Sequence, residues 1–271
     1  MPELPEVETT RRGIEPHLVG ERISGVIIRQ DSLRWQIPAI LKTCLKGQTI
    51  LSVQRRGKYL LVNCGNGHLL LHLGMSGSLR VVSQSVAAGK HDHFDLLLDN
   101  GQCLRLRDPR RFGAVLWTTE EPLQHSLLRD LGPEPLADEF TADYLADRAK
   151  GRKLAVKLFI MDSKVVVGVG NIYANEALFR AGIHPACEAG SLSRSRWQRL
   201  VEAIRQVLEE AILAGGTSMR DFTNAEGSPG YFALQLQVYG KPGQECPQCG
   251  RAIQSLRLGQ RSTYFCSRCQ R

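Results

Sequence analysis

With 271 residues the chain can bury a full core and divide into two domains with a small appendage. Hydrophobic residues make up 42% and charged residues 23%; no apolar run approaches the ~20 residues of a membrane helix, and the acidic start does not fit a signal peptide, so a cytoplasmic chain is expected. The net charge of +8 is uneven, residues 237–271 holding six Lys and Arg against Glu245 alone, which suits a polyanionic partner even if four thiolates on a divalent ion would cancel two of those charges.

The chain opens MPELPEVETT. Pro5 fits the first turn of a helix whose apolar stripe is Val7, Ile14 and Leu18. The helix does not account for Pro2 or Glu3, and a frayed end is the ordinary reading of residues 1–4. Residues 22–30, 49–55, 57–63, 67–72, 77–82, 93–98, 102–107 and 113–117 read as short strands, rich in Val, Ile and Leu and punctuated by Gly, Asn and Asp. That spacing predicts an antiparallel sandwich or barrel. The stretch Leu131-Gly132-Pro133-Glu134-Pro135 reads as a linker.

Beyond it the period becomes helical. Trp197, Leu200, Val201, Ile204, Val207, Leu208, Ala211 and Ile212 mark one face of a long helix that Gly215-Gly216 ends. Shorter helices fit 140–149, 153–161 and 172–181. Residues 217–230 are polar and Gly/Ser-rich, a candidate loop or lid.

Cys246, Cys249, Cys266 and Cys269 form C-x2-C-x16-C-x2-C. Two close pairs joined by a hairpin-length spacer can set four thiolates around one structural zinc, with no coordination position left open; a disulfide pair is the alternative. Strands at 251–257 and 262–265 would turn at Leu258-Gly259-Gln260. Cys44, Cys64, Cys103 and Cys187 lack such spacing and are expected to be small buried residues.

Four other stretches carry chemistry less specifically. In Val165–Asn171 the third glycine of a dinucleotide fingerprint is missing, and a tight turn placing Asn171 at a helix N-cap fits better. Arg55-Arg56-Gly57-Lys58 sets a lysine beside two arginines, whose like charge favours its neutral form; a solvated basic turn fits equally. His91-Asp92-His93 reads as the start of a strand. Asp108-Pro109-Arg110-Arg111-Phe112-Gly113 is a cationic, aromatic turn able to wedge a ring into a base stack, or an ordinary loop.

Taken together, PELPEVET, QRRGKYL, HLGMSGSLR, KHDH, DPRRFG, GPEPL, VVGVGNIYANE, AGIHP, GYF, QVYG and the four cysteines closely resemble the bacterial formamidopyrimidine-DNA glycosylases, also called 8-oxoguanine DNA glycosylases, over essentially the whole chain. The resemblance implies an α+β multidomain fold. A β-sandwich with a leading helix would span 1–134, a helix–two-turn–helix domain 135–236 and a zinc-finger hairpin 237–271, with damaged double-stranded DNA in the cleft between the halves. It implies that removal of Met1 makes Pro2 the nucleophile, with Glu3 as its acid–base partner and Lys58 assisting base loss and β-elimination. Arg261 is implied in δ-elimination. His91, Arg110, Arg152 and Asn171 are implied as DNA contacts, and Met75, Arg110 and Phe112 as the trio that fills the void left by a flipped nucleotide. One structural zinc on the four cysteines is the only cofactor implied, no membrane partner is, and a monomer is expected. The implied reaction is excision of oxidised purines followed by strand cleavage at the abasic site. Two rivals stand beside it: an endonuclease VIII-like glycosylase for oxidised pyrimidines, and a zinc-finger DNA-binding protein without catalysis.

Overall fold

Glu3 opens the first helix in the computed structural model, which describes residues 2–216 and 235–271. Helix α1 spans Leu4–Leu18, with Pro5 in its first turn, where a missing N–H costs nothing. Glu6 completes a capping box, its Oε2 accepting from the Glu3 backbone N–H at 2.8 Å. Val7, Ile14 and Leu18 lie on one side of α1 and are buried.

Eight strands follow: β1 (Ile23–Ile28), β2 (Ser52–Arg56), β3 (Tyr59–Asn63), β4 (His68–His72), β5 (Ser78–Ser83), β6 (Asp92–Leu98), β7 (Gln102–Arg107) and β8 (Ala114–Thr118). They are the eight read from the sequence, with ends displaced by at most three residues. They form two antiparallel sheets, β1-β6-β7-β5 and β2-β3-β4-β8. Phe94, Leu96 and Leu104 of the first sheet share one core with Leu60, Leu69 and Val115 of the second and with the apolar face of α1. The result is a β-sandwich with a leading helix. The segment between β1 and β2 carries no strand pattern, yet it packs too: short helix α2 (Leu41–Cys44) and Leu33, Ile37, Leu45 and Ile50 join that core.

The described residues fall into two compact units, 2–129 with 214–216 and 130–213 with 235–271. In the second, α3 (Ala142–Ala149) is capped by Thr141, whose Oγ1 accepts from Tyr144 N at 3.1 Å. Helices α4 (Val156–Met161), α5 (Asn171–Arg180) and α6 (Arg194–Leu213) complete its helical part. The expected stripe of α6 is buried from Trp197 to Ile212, with the Trp197 ring 5.7 Å from that of Phe159. Two expectations are corrected. Helix α5 is capped by Gly170, Asn171 being its first residue. Of the four isolated cysteines only Cys64 and Cys103 are buried, while Cys44 and Cys187 are partly exposed.

A carboxylate–guanidinium cluster fastens α1 to β2. Glu8 accepts from Arg12 Nε at 2.8 Å, from Arg11 Nη2 at 3.0 Å and from Arg55 Nε at 3.1 Å. Arg11 also reaches the Val53 carbonyl and Glu15. Burial on its own would raise the Glu8 carboxyl; hydrogen bonds from Arg11 and Arg12, with the charges of Arg11 and Arg55, outweigh it and bring the group to about 2. The folded value lies below the ordinary 4.5, so this contribution is full above that pH and is lost as the pH falls towards about 2. It is on the order of 2–3 kcal/mol. Glu8→Gln should therefore destabilise the protein near neutrality and cost progressively less as acid is added. Urea unfolding of both proteins between about pH 6 and pH 3 checks this, and a difference that does not change with pH contradicts it.

Candidate active site and zinc centre

Residues 2–4 are not frayed. Pro2 is buried and Glu3 is 2% exposed. The Glu3 N–H that Glu6 holds belongs to the peptide bond following Pro2, so the cap of α1 also fixes where Pro2 sits. While Met1 is attached, the Pro2 nitrogen is an amide; its removal turns the same nitrogen into a secondary amine.

Lys58 lies in the two-residue turn between β2 and β3, where Arg56 pairs with Tyr59 and Gly57 takes φ +57°. Arg55 braces this turn. Its Nη1 donates to the Gly57 carbonyl at 2.9 Å while its Nε reaches Glu8 on α1. The basic stretch is thus no bare block of three cations, since Glu8 matches the charge of Arg55. Lys58 also acts on His72, which pairs with Tyr59 across the sheet. Burial, then the charges of Lys58 and Arg34, push His72 down to about 4. A neutral His72 can accept through Nδ1, as it does from Gly74 N at 3.0 Å.

Met75, Arg110 and Phe112 lie in loops of the same unit. Met75 is half-buried; Arg110 and Phe112 are exposed, with the Arg110 guanidinium carbon 5.0 Å from the Phe112 ring centre. The second loop hangs on Asp108, which the sequence reading did not single out: its carboxylate accepts from Gly113 N at 2.7 Å and from Ser76 Oγ at 3.0 Å. His91 is half-buried just before β6, its carbonyl accepting from Asp108 N, and His93 enters the strand as expected.

The remaining residues belong to the helical unit. Arg152 is exposed and lines a hollow of about 200 Å³ with Lys153, Glu188 and Ser191. The Asn171 amide donates to the Ser262 carbonyl at 3.1 Å, while its Oδ1 is buried with no hydrogen-bond partner among the described residues. Ser262 belongs to β10 (Arg261–Phe265), which pairs with β9 (Gln254–Leu258) through a turn whose Gly259 and Gln260 take φ +50° and +61°. Arg261 is exposed at that turn. Lys157, fully buried on α4, donates to Ser262 O and Thr263 Oγ1, and Asn175 on α5 accepts from Tyr264 N. Glu176, also buried, accepts three backbone N–H groups from Gln237, Val238 and Tyr239 at 2.8–3.0 Å. The hairpin is therefore built onto α4 and α5 by Lys157, which lies in none of the quoted stretches, and by Asn171 and Asn175, which lie in VVGVGNIYANE. The candidate loop at 217–230 lies outside the described residues.

The ligand sulfurs of Cys246, Cys249, Cys266 and Cys269 all lie within 4.8 Å of one another. Two pairs are 3.8 and 3.5 Å apart. A tetrahedral zinc with bonds of ~2.3 Å sets its sulfurs about 3.8 Å apart, so the donor set fits one structural zinc. With Phe179, Val238 and Ile253 the cysteines form a small apolar core of their own.

In chain order, the sandwich, the helical part and the four-cysteine hairpin match the domains of DNA-repair glycosylases of the helix–two-turn–helix class. Family models match along the chain: the formamidopyrimidine-DNA glycosylase N-terminal domain over residues 1–115, the H2TH domain of the same enzymes over 131–223, and the zinc finger found in FPG and IleRS over 243–271. The chain belongs to the formamidopyrimidine-DNA glycosylase family. It is 58% identical over 271 residues to the formamidopyrimidine-DNA glycosylase of Stutzerimonas stutzeri, covering all of both chains. Among solved structures it is similar to a Lactococcus lactis FPG mutant in complex with DNA containing Fapy-dG, with TM-score 0.93, 35% identity and 99% of each chain covered. The FPG protein of Thermus thermophilus gives TM-score 0.89 and 37% identity, with 99% of this chain and 98% of that one covered. Among the described residues, no helix is long and apolar enough to cross a membrane.

Because the cysteines carry the core of the hairpin, Cys249→Ser should lose the zinc and unmake the finger while leaving the sandwich folded. Metal analysis with a thermal melt checks this, and a variant that keeps stoichiometric zinc contradicts it.

Proposed function

We propose that this chain is a bifunctional base-excision enzyme that removes oxidised purines, 8-oxoguanine and formamidopyrimidines, through an N-terminal proline Schiff base and then cuts the abasic strand by β,δ-elimination. The observation that carries the reading is the buried Pro2–Glu3 pair, held at the start of α1 by the Glu6 cap, in a chain that matches the glycosylase family throughout. A binding module has no use for such a terminus.

The chemistry follows from the groups. An α-amino group titrates near ~8, so a useful fraction is unprotonated at neutral pH, unlike a typical lysine. The damaged nucleotide must first leave the stack, because C1′ is inaccessible in the duplex. The Pro2 lone pair then forms a bond to C1′ while the bond to the base breaks; the base departs with its electron pair and takes a proton from solvent. Glu3, adjacent to the nucleophile, takes the proton of the Pro2 N–H and passes it to the ring oxygen, so that the C1′–O4′ bond breaks and the sugar opens. Proline's nitrogen is secondary, so the adduct is an iminium that is cationic without an extra proton. That cation draws electrons from the C2′–H bond. Lys58 assists loss of the proton, and the 3′ phosphate leaves with its bonding pair.

Arg261 has a different part. A guanidinium does not surrender its proton at accessible pH, so stabilising the second departing phosphate suits it better than acid catalysis. His91, Arg152 and Asn171 are proposed as contacts to the DNA backbone. Met75, Arg110 and Phe112 are proposed to fill the vacated space. The Arg110–Phe112 contact supports this by joining a planar cation to an exposed ring.

Two outcomes test the reading. Pro2→Gly should greatly weaken borohydride trapping on a duplex carrying 8-oxoguanine while binding survives; undiminished trapping contradicts it. Trapping that favours thymine glycol over 8-oxoguanine would instead support the pyrimidine enzyme. An orphaned cytosine presents acceptors that a guanidinium can meet with two hydrogen bonds, whereas adenine offers a donor on the same edge. Single-turnover excision should therefore be faster opposite cytosine than opposite adenine, by roughly 1–3 kcal/mol. Arg110→Ala should shrink that preference, and equal rates in the wild type refute it.

A further inference from the structure

Two loops, 73–77 after β4 and 108–113 after β7, carry the three void-filling side chains, and chain order gives them no reason to act together. The structure ties them at several points. Asp108 is 0% exposed and accepts from Ser76 Oγ of the other loop at 3.0 Å. The same hydroxyl accepts from the Arg110 backbone N–H at 3.3 Å. One serine oxygen thus stands between the buried carboxylate and the amide of the residue that would meet the opposite strand.

The backbones also touch. A Cβ on Gly74 would lie 2.4 Å from the Phe112 carbonyl carbon, and one on Gly113 would lie 2.7 Å from the His72 carbonyl oxygen. No side chain other than hydrogen fits between them. Arg111 sits in the left-handed region at φ +56°, with its N–H on the Asp108 carbonyl at 3.2 Å. From behind, His93 hydrogen-bonds that carbonyl through Nε2 at 2.9 Å, and His72 holds Gly74 N. Apolar packing would join two loops at lower cost than a desolvated carboxylate. What the carboxylate adds is one geometry, because its acceptors are satisfied only when both loops are in place.

The geometry points to Ser76 and Asp108 as positioning residues that lock the two loops into one wedge, so that Met75, Arg110 and Phe112 enter a duplex as a single rigid piece. This rests on the reading that those three side chains occupy the gap left by the flipped nucleotide. Ser76 and Asp108 act through them and take no part in bond breaking.

The test is single-turnover excision of 8-oxoguanine opposite cytosine and opposite adenine by the zinc-loaded wild type, Ser76→Ala, Arg110→Ala and the double variant. Ser76→Ala should slow excision opposite cytosine by about tenfold, the effect of one lost buried hydrogen bond, and should narrow the cytosine-to-adenine ratio. In the double variant the combined loss should be smaller than the product of the two single losses. If Ser76→Ala melts early, Asp108→Asn, which keeps the volume but replaces one acceptor with a donor, is read in the same way. Multiplying losses with an unchanged ratio in the serine variant overturn the inference, since a general loss of stability does not choose between opposite bases. A ratio that collapses in Arg110→Ala but not in Ser76→Ala sinks this inference alone. A ratio unmoved by Arg110→Ala sinks the void-filling reading and this inference with it.

Discussion

A single hydrogen bond, from the Glu3 backbone N–H to the Glu6 carboxylate, decides what the rest of the N-terminal unit can be used for. A chain terminus is ordinarily the least ordered part of a protein. A reactive α-amine there would be held in no fixed place. Here the terminal residues are drawn into the first turn of α1, with Pro2, Glu3 and Glu6 all buried. The helix that follows is pinned to the sandwich by its apolar face and by the Glu8 cluster. The position of Pro2 therefore becomes a property of the sandwich core. The same cluster reaches the Lys58 turn through Arg55, whose two ends touch α1 and the Gly57 carbonyl. Pro2 and Lys58, far apart in sequence, thus depend on one set of contacts.

Buried carboxylates recur as anchors rather than as solvated charges. Asp95 on β6 pairs with Arg105 on β7 and with Arg29 just beyond the end of β1, and Glu176 gathers three consecutive backbone N–H groups at the approach to the finger. Asp108 does the same for the arginine–phenylalanine loop. Removing the partners of any of these would leave a charge without compensation, so each makes its neighbouring loop adopt one conformation. Exposed cations stand beside two of these anchored parts: Arg110 beside Asp108, and Arg261 on the hairpin that Glu176 helps to hold. Cations on a fixed frame meet phosphate with less ordering cost than cations on loose loops.

Legibility in the sequence divides along the range of the interactions. The strands, the stripe of α6 and the spacing of the four cysteines are local patterns, and period or spacing alone exposes them. The roles proposed for Pro2, Glu3 and Lys58 rest on the family resemblance, and no periodicity marks these residues. What escaped is non-local. The buried packing of residues 30–51 has no alternation to show it. Glu176 binds amides 61 to 63 residues away, and Lys157 meets the hairpin across 105 and 106 residues. An asparagine beside a glycine resembles a side-chain cap, but Gly170 caps α5 and Asn171 gives its amide to the finger.

The Pro2 nitrogen, made reactive by removal of Met1 and held by the cap of α1, is proposed as the atom that bonds to C1′. The most direct measurement is mass mapping of the borohydride-reduced adduct formed with a duplex containing 8-oxoguanine. The sugar fragment should be recovered on the N-terminal peptide, attached to Pro2. Recovery of the fragment on the peptide containing Lys58 would contradict it.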